Sequence, residues 1–440
     1  MVKVILKRGR DESLRRFHPW VFSGAVAQIQ GSPAEGDIVG VYSAEGQFLA
    51  SGHWQIGSIA VRILSFDADP TAPGFWTDSI ARALAVREAV GLAGSADTTC
   101  FRLVHGEGDG LPGLIIDWYD GVCVMQAHSV GMFRAKAQIC EALRTVFGER
   151  LKAVYDKSSG TAPFKAGLEL VDGYLWRAEG FTASEAVVQE NGRKFLVNWE
   201  EGQKTGFFLD QRDNRALVGR YAAGRHVLNL FCYTGGFSIY ALTAGAACVD
   251  SVDSSAKAMS LVERNISLNS DAAEAAVALQ DRSHPRLRKR EGPAAEGSGR
   301  GPAQPDVLQG ELPRSGVEFN NYCEDAIEFL RKIPEGKYDL MIVDPPAFAK
   351  HRGALHNALR AYQRLNAAAI AKVAPGGLVF TFSCSQVVDK ITFANTVFSA
   401  AAQTGRSVRI LDRLCQGADH PVSIYHPEGE YLKGLLLYVE

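Results

Sequence analysis

The sequence lacks several features that would place the chain in a specialised class of protein. Its eight cysteines contain no CxxC pair, so neither a zinc site nor a disulfide framework is predicted. No stretch approaches the roughly 18 uninterrupted apolar residues of a transmembrane helix, and no secretory signal is recognisable at the N-terminus. With 47 lysines and arginines against 49 acids, the chain is not a polycation. These absences predict a reduced, cytoplasmic protein without a metal or a membrane partner.

The composition is that of an ordinary globular protein. Hydrophobic residues make up 46% of the chain and charged residues 22%, which excludes a collagen-like or wholly disordered chain. At roughly 100–200 residues per domain, a length of 440 residues predicts two to four domains.

The pattern of strands and turns changes along the chain and predicts three domains. Residues 1–70 contain short strands between regular turns, which is typical of a small β-barrel. Residues 74–187 mix helices and strands as an α+β middle domain. In 188–440, apolar strands alternate with amphipathic helices, which predicts a doubly wound, mostly parallel α/β sheet. Residues 270–316 lack an apolar period and are predicted to be a disordered insertion.

Three strand ends in the predicted α/β domain carry residues suited to a small ligand. After the strand HVLNLF, two glycines open a helix, where backbone N–H groups are unpaired and the chain can approach a ligand closely. Asp253 and Asp325 end the next two strands, where an acid can bind a ribose diol or an adenine amine. The turn lacks the dinucleotide-binding motif GxGxxG, which favours S-adenosylmethionine (SAM) over NAD as the ligand. The alternative to a ligand site is an ordinary α/β domain whose strands happen to end in polar residues. The predicted SAM-binding residues here are Asn229, Phe231, Tyr233, Thr234, Gly235, Gly236, Asp253, Asp325 and Asp344.

The fourth and fifth strands end in residues suited to a nitrogenous base and its chemistry. Asp344 is followed by two prolines, which force a rigid extended turn, and by Phe348. This turn can present an acid and an aromatic ring to a flat base, with Pro345, Pro346 and Phe348 as substrate contacts. Cys384 leaves the fifth strand and is a candidate nucleophile, although a lone cysteine is more often a small buried hydrophobe.

Taken together, these motifs resemble the ribosomal RNA large subunit methyltransferase I family, which makes 5-methylcytidine in 23S rRNA with SAM. The resemblance runs through the whole chain. It is carried by HPWVFSGAV (18–26), GEGDGLPGLIID (106–117), KTGFFLDQRDNR (204–215), LNLFCYTGGFS (228–238), VDPPAF (343–348), TFSCS (381–385) and GADHPVSIYHPEGEYLKGLLL (417–437). The insertion at 270–316 departs from the family pattern.

The resemblance implies an N-terminal PUA domain, an α+β middle domain and a C-terminal, Rossmann-like class I methyltransferase domain. It further implies that Phe208, Asp210 and Gln211 lie close to SAM. In the implied reaction, the Cys384 thiolate attacks carbon 6 of cytosine and Asp344 hydrogen-bonds the base. Many related cytosine enzymes have a second cysteine in the motif that here reads Asp-Pro-Pro-Ala. Because this chain lacks that cysteine, the base that removes the carbon 5 proton is unassigned. Asp419-His420 is a candidate for this base, although such a pair is more often structural.

The N-terminal residues combine positive charge with aromatic rings, as an RNA contact requires. Lys7, Arg8, Arg15 and Arg16 are predicted to contact phosphates of 23S rRNA or of a large-subunit assembly intermediate. Trp20 and Phe22, which lie among them, are predicted to be core residues. The sequence leaves open whether the chain forms a homodimer.

Two other functions remain open at this point. Asp-Pro-Pro-Ala-Phe also resembles the motif of methyltransferases that modify an exocyclic amine or a guanine nitrogen and need no cysteine. In the other alternative, the chain is a non-catalytic RNA-binding factor of ribosome assembly. A Cys384→Ala variant would lose activity in the covalent reaction but keep it if the chain modifies an amine or a guanine nitrogen. A measurement of SAM affinity would distinguish a methyltransferase from a non-catalytic RNA-binding factor.

Overall fold

A computed structural model describes residues 1–163, 167–283, 318–349 and 351–440. The chain forms two compact units. The first contains Met1–Gly192, Val197–Asp210 and Gly417–Glu430, and the second contains Arg193–Leu196, Gln211–Gln416 and Tyr431–Glu440. Within the described ranges, no helix is both long and apolar enough to cross a membrane.

The first unit begins with a six-stranded sheet, in the order β2-β6-β5-β4-β1-β3. Alternation in VKVIL buries Val4 and Leu6 beneath β1, as the sequence predicts. β1 runs parallel to β4, and the other neighbouring pairs are antiparallel. The elements are β1 (Val2–Leu6), α1 (Glu12–Arg15), β2 (Trp20–Phe22), β3 (Val26–Gln30), β4 (Ile38–Tyr42), β5 (Phe48–Trp54) and β6 (Ile59–Ser65).

A second sheet of the first unit has five strands, in the order β11-β10-β9-β8-β7. β8 and β9 form a hairpin whose turn is Asp120-Gly121, and both residues have the positive φ, 46° and 100°, that a tight hairpin turn requires. The elements are α2 (Phe75–Ala89), β7 (Cys100–His105), β8 (Leu114–Tyr119), β9 (Val122–Ala127), α3 (Val130–Arg134), α4 (Lys136–Phe147), β10 (Ala153–Asp156), β11 (Gly173–Arg177) and β12 (Glu185–Glu190). This mixture agrees with the predicted α+β region, while the boundaries of the three predicted domains stay a prediction.

Buried charges attach the segment Gly417–Glu430 to the rest of the first unit. The guanidinium of Arg87 is fully buried, pairs with the carboxylate of Asp109 and donates to the Asp419 carbonyl at 2.8 Å. The backbone N–H of Arg102 donates to Asp419 Oδ2 at 2.9 Å. Because buried charges need complete hydrogen bonding, these contacts fix the position of Asp419.

The second unit has a seven-stranded sheet in the order β16-β15-β14-β17-β18-β20-β19. β14 to β18 are parallel, and β20 inserts antiparallel between β18 and β19. After β13 (Arg193–Asn198), the strands are β14 (His226–Leu230), β15 (Cys248–Asp253), β16 (Glu318–Cys323), β17 (Leu340–Val343), β18 (Gly377–Ser383), β19 (Val408–Leu414) and β20 (Lys433–Val439). The strand order reverses between β14 and β17, and a doubly wound sheet binds ligands at such a switch point.

Seven helices of the second unit lie in its described residues: α5 (Arg212–Ala222), α6 (Gly236–Thr243), α7 (Ala256–Ser267), α8 (Ser270–Ser283), α9 (Ala326–Lys332), α10 (Leu355–Lys372) and α11 (Lys390–Thr404). Helix α8 corrects the prediction of disorder from residue 270 onward. Its sequence has no strong apolar period, but Ala and Glu are good helix formers and Asp271 stands in the first turn, where a negative charge is favourable. The rest of the predicted insertion, 284–316, lies outside the described residues.

Asp250 is a buried carboxylate of β15 that holds neighbouring elements of the second unit together. It accepts hydrogen bonds from Lys337 Nζ and Asn320 Nδ2, each at 2.9 Å, and from the Tyr338 hydroxyl. Burial raises the pKa of Tyr338, and the Asp250 carboxylate raises it further. Tyr338 therefore stays protonated and remains a donor.

We expect Asp250→Ala to lower the free energy of unfolding by about 3 kcal/mol, because it leaves buried donors without an acceptor. Calorimetric unfolding of the purified chain measures this change. The exposed Asp412→Ala is the matched control and should stay within about 0.5 kcal/mol of the parent. Equal unfolding temperatures for the two variants would contradict the role of Asp250.

Candidate functional site

Strand register brings the predicted site residues of the second unit to one edge of the sheet. Leu230 of β14 pairs with Val252 of β15 and with Val343 of β17, and Val343 pairs with Thr381 of β18. All these strands are parallel, so their carboxyl ends lie side by side. The turns after β14, β15, β16, β17 and β18 therefore meet at a common edge, as the sequence predicts.

The turn between β14 and α6 has an unusual backbone. Phe231, Tyr233 and Gly235 have positive φ values of 59°, 48° and 80°. Two of them are not glycine, and such residues rarely adopt this conformation unless the surrounding structure imposes it. The half-buried aromatic side chains of Phe231 and Tyr233 are thus presented by a backbone that the fold holds in place.

The carboxylate of Asp253 supplies part of that constraint. Its Oδ2 accepts the backbone N–H of Tyr233 at 2.9 Å, and its Oδ1 accepts that of Ser255 at 2.9 Å. The side chain is only half-buried. Since each carboxylate oxygen has two acceptor sites, Asp253 can hold the turn and still accept from a ligand.

The two glycines of this turn are explained by the protein itself. A Cβ on Gly235 would lie 3.1 Å from a methyl group of Val262, and its φ of 80° also favours glycine. A Cβ on Gly236 would lie 3.0 Å from Cδ of Arg215. Packing against α7 and α5 therefore accounts for both glycines. The glycine pair in the sequence predicts instead a close approach of the backbone to a ligand.

Two predicted residues, Asn229 and Thr234, are buried beneath the turn. Asn229 Nδ2 donates to Ser238 Oγ at 2.8 Å, while Asn229 Oδ1 has no partner in the described protein. The Thr234 carbonyl accepts from Asn265 Nδ2 at 2.9 Å. These contacts give the turn a rigid base, and they leave the buried Asn229 Oδ1 without a hydrogen-bond partner among the described residues.

Asp325 occupies the corresponding position after β16. Cys323, the last residue of β16, pairs with Asp253, and Asp325 follows two residues later. Its Oδ1 accepts the backbone N–H groups of Ile327 and Glu328 and so caps α9. The side chain is exposed, so the cap does not exclude a ligand.

Asp344 follows β17 and is held by Gln211. Gln211 Nε2 donates to Asp344 Oδ2 at 2.9 Å, and Gln211 Oε1 accepts from Asn214 Nδ2 at 2.6 Å. This arrangement fixes the amide orientation of Gln211 and presents its N–H group to the carboxylate. The structure thus brings together two residues that the sequence places far apart.

The proline turn after Asp344 has one buried and one exposed proline. Pro345 is buried and Pro346 is exposed, while the half-buried ring of Phe348 packs on Tyr362 with 4.7 Å between ring centroids. Part of the Phe348 surface is therefore used within the protein, and only the remainder is available for a base.

Cys384 lies just after β18 and is half-buried. The next residue is fixed, because Ser385 Oγ donates to the Ala349 carbonyl at 2.6 Å. Among the other cysteines, Cys232 is buried against the sulfur of Met259, and burial raises its thiol pKa. Cys232 is therefore a packing residue, whereas Cys384 is only half-buried.

Two residues near Cys384 were not predicted. Tyr362 of α10 packs on Phe348, four residues after Asp344, and burial raises the pKa of its hydroxyl. Lys433 pairs with Ser383 across β20 and β18, is buried, and donates through Nζ to the Ser385 carbonyl. Only the register of an antiparallel strand identifies this lysine, and the sequence does not reveal that register.

The remaining predicted SAM residues, Phe208 and Asp210, belong to the first unit. Phe208 is half-buried, and Lys204 Nζ lies 4.5 Å from its ring centroid. Asp210 is buried, and its carbonyl accepts the backbone N–H of Gly417 at 3.3 Å. Their proximity to SAM stays a prediction.

The four basic residues predicted to contact RNA are exposed on the first unit. Three are paired with neighbouring acids: Arg8 with Glu45, Arg15 with Asp11, and Arg16 with Glu12; Lys7 Nζ donates to the Gly24 carbonyl. The prediction that Phe22 is a core residue is wrong, because 49% of its surface is exposed at the end of β2. Trp20 is half-buried, and its indole N–H donates to Glu107 Oε1.

The Asp419-His420 pair is also in the first unit. Both side chains are buried, and Asp419 Oδ1 lies 2.9 Å from His420 Nδ1. Since Arg87 and Arg102 also bond Asp419, the pair belongs to a buried charged network. This setting agrees with a structural role.

Comparisons with known proteins agree with this architecture. Residues 4–66 match the PUA-like domain family, and residues 101–289 match the S-adenosylmethionine-dependent methyltransferase family. The chain is 38% identical to ribosomal RNA large subunit methyltransferase I of Shewanella amazonensis, covering 100% of this chain and 99% of that protein. It is 36% identical to the protein of the same name from Aeromonas hydrophila, and the alignment covers 99% of this chain and 98% of that protein. The structure of SMU.776 complexed with SAH aligns over 100% of both chains with a TM-score of 0.76 and 20% identity. The predicted PUA-like region and class I methyltransferase fold are confirmed.

The residues at the sheet edge fit SAM. Its ribose hydroxyls and adenine amine are hydrogen-bond donors and need acceptors. The carboxylates of Asp253 and Asp325 stand at adjacent strand ends, and neither side chain is fully buried. These two residues would hold the cofactor.

We expect Asp253→Ala to weaken SAM binding by about 1.5–3 kcal/mol, because the variant loses a charged acceptor and also releases the Tyr233 N–H. This corresponds to roughly 10- to 100-fold in Kd, measured by calorimetric titration. Asp271→Ala removes an exposed charge in α8 and should bind like the parent. Unchanged affinity in Asp253→Ala would remove Asp253 from the site.

Proposed function

The chain belongs to the ribosomal RNA large subunit methyltransferase I family, and on this premise we propose that it methylates carbon 5 of a cytosine in 23S rRNA through a covalent bond to Cys384. Its cofactor is SAM. The observation that carries the proposal is the position of Asp344 and Cys384 directly after β17 and β18, two neighbouring parallel strands of the sheet.

The thiol addresses the main chemical difficulty of the reaction. Carbon 5 of cytosine is a poor nucleophile until a group adds to carbon 6. A lone pair of the Cys384 thiolate forms the S–C6 bond, and the former C5–C6 π pair becomes available at carbon 5. SAM, when bound, would supply the electrophilic methyl carbon that accepts this pair, and the broken methyl–sulfur bond would leave its electron pair on the sulfur of the departing SAH. Loss of the carbon 5 proton to a base restores the double bond and expels the thiolate.

Asp344 is suited to bind the base during this addition. Its carboxylate can accept from the cytosine amine and from ring nitrogen 3 once that nitrogen is protonated, which offsets the negative charge that the thiolate brings. The Gln211 amide holds Asp344 at 2.9 Å, so its orientation does not depend on substrate. Preorganisation of this kind lowers the cost of reaching the transition state.

Lys433 supports the same strand end. Its ammonium is buried and bonds the carbonyls of Ser385 and Tyr431. Lys433 pairs with Ser383 across β20 and β18, so it holds the backbone on both sides of Cys384. This residue acts through Cys384 and is a positioning residue.

One observation favours the alternative of an amine methyltransferase. The Asp344-Pro345-Pro346 turn, with Phe348 packed on Tyr362, is a base-binding element that needs no thiol. A Cys384 variant distinguishes the two reactions.

RNA binding is proposed for the PUA-like region. Its exposed pairs, such as Arg8 with Glu45, are weak at the surface, so the arginines can exchange an acid for a phosphate. The partner proposed from the names of the relatives is 23S rRNA or a large-subunit assembly intermediate. Cytoplasmic location and a homodimeric state stay predictions.

We expect RNA with 5-fluorocytidine at the target position to be trapped by the parent protein in the presence of SAM. Fluorine at carbon 5 cannot leave as a proton does, so the cysteine adduct persists after methyl transfer. A denaturing gel should show a SAM-dependent protein–RNA complex that is absent in Cys384→Ala, while that variant still binds SAM.

The exposed Cys323→Ala is the matched control, because Cys323 also ends a strand at this edge. It should trap like the parent. Normal methylation by Cys384→Ala would end the covalent mechanism and leave the amine-methyltransferase alternative as the better explanation.

We expect the double variant Arg8→Ala, Arg16→Ala to bind RNA more weakly and with a smaller salt dependence. Each lost phosphate contact should reduce the slope of log K against log salt by roughly one. Filter-binding at several salt concentrations measures the slope. Arg144→Ala with Arg331→Ala removes two exposed charges elsewhere in the sequence, and an equal change in that variant would argue against a specific contact.

A further inference from the structure

Three metal-binding side chains meet in the first unit, in a place that the proposed reaction does not use. Glu428 Oε2 lies 4.0 Å from His18 Nε2 and 3.8 Å from His426 Nε2. One ligand atom from each residue lies within 4.8 Å of the others. His18 lies two residues before the start of β2, and the other two residues belong to Gly417–Glu430, so the cluster joins segments that are far apart in the sequence.

His426 is the unexplained member of this cluster. Its side chain is only 3% exposed, and neither ring nitrogen has a hydrogen-bond partner in the described structure. Its ring packs on the Trp20 indole with 4.3 Å between centroids. A buried imidazole without any partner is unfavourable, and such a group calls for a ligand.

His18 is oriented by the backbone of Trp20. The Trp20 backbone N–H donates to His18 Nδ1 at 3.2 Å, and the Trp20 carbonyl oxygen lies 3.4 Å from the same nitrogen. Metal binding through Nε2 requires the tautomer in which Nδ1–H donates to that carbonyl instead, and the Trp20 N–H then gives up its bond to the ring. Metal-binding histidines are usually held in this way by a carbonyl or carboxylate.

We propose that His18, His426 and Glu428 bind one divalent transition-metal ion of the zinc class. Two imidazoles and one carboxylate form a ligand set that zinc accepts, whereas Mg²⁺ and Ca²⁺ prefer oxygen ligands alone. With metal–ligand distances of about 2.0–2.2 Å, the ligand atoms would approach one another by roughly 1 Å. Glu428 is 58% exposed, so a water molecule can complete the coordination.

The proposed ion would act as a cross-link within the first unit. Asp419 already attaches the segment Gly417–Glu430 through Arg87 and Arg102. A metal at His426 and Glu428 would attach the other end of that segment to the strand that carries Trp20. The site is independent of Cys384 and of the proposed reaction, so the two proposals can fail separately.

The test is a titration of the full-length, chelator-treated protein with Zn²⁺ and, separately, with Co²⁺. We expect one ion per chain, a rise in unfolding temperature with Zn²⁺, and a visible d–d absorption band with Co²⁺. Glu428→Gln changes only an exposed group and should weaken binding by at least about tenfold. His426→Ala should abolish the Co²⁺ band.

His356→Ala is the control, because it removes an exposed histidine of α10 outside the cluster. It should bind like the parent. Absence of stoichiometric binding in the parent, equal binding in Glu428→Gln, or loss of binding in His356→Ala would each overturn the proposal. Glu428→Gln keeps the test decisive if His426→Ala does not fold.

Discussion

The carboxylate of Asp253 is the interaction on which the geometry of the methyltransferase site depends. It bonds the backbone of Tyr233 in the turn after β14 and the backbone of Ser255 before α7. The turn contains two non-glycine residues with positive φ, and this conformation needs external support. A single acid therefore both fixes the turn and faces the position predicted for the ribose. Its two tasks are compatible because each oxygen accepts more than one hydrogen bond.

The environments of the cysteines show why one strand end is suited to covalent chemistry. Cys232 is buried beside Met259, and burial disfavours its thiolate. Cys323 is exposed but ends an outer strand of the sheet. Cys384 is half-buried and follows Ser383, which pairs with Lys433 across β18 and β20. Of these three cysteines, Cys384 is therefore the one that is neither fully buried nor on an outer strand.

The sequence predicts the parallel strands and the residues that follow them because both depend on local patterns. Asp253, Asp325 and Asp344 are found in this way, since a buried strand followed by an acid is visible in a few residues. Tyr362 and Lys433 are not, because a helix and an antiparallel strand bring them to the site from elsewhere in the chain. Helix α8 was mispredicted for a different reason. Its sequence lacks a strong apolar period, but its alanine and glutamate residues have a high intrinsic helix propensity. Side-chain partners such as Gln211 for Asp344 depend on packing and require coordinates.

The path of the C-terminal residues connects these observations. Gly417–Glu430 belong to the first unit, and the following residues complete the second. β20 lies between β18 and β19, so β19 is joined to the sheet only through β20. The same strand brings Lys433 to the carbonyl of Ser385, next to Cys384. The attachment of the outermost strand and the fixed backbone beside the proposed nucleophile therefore depend on the same strand.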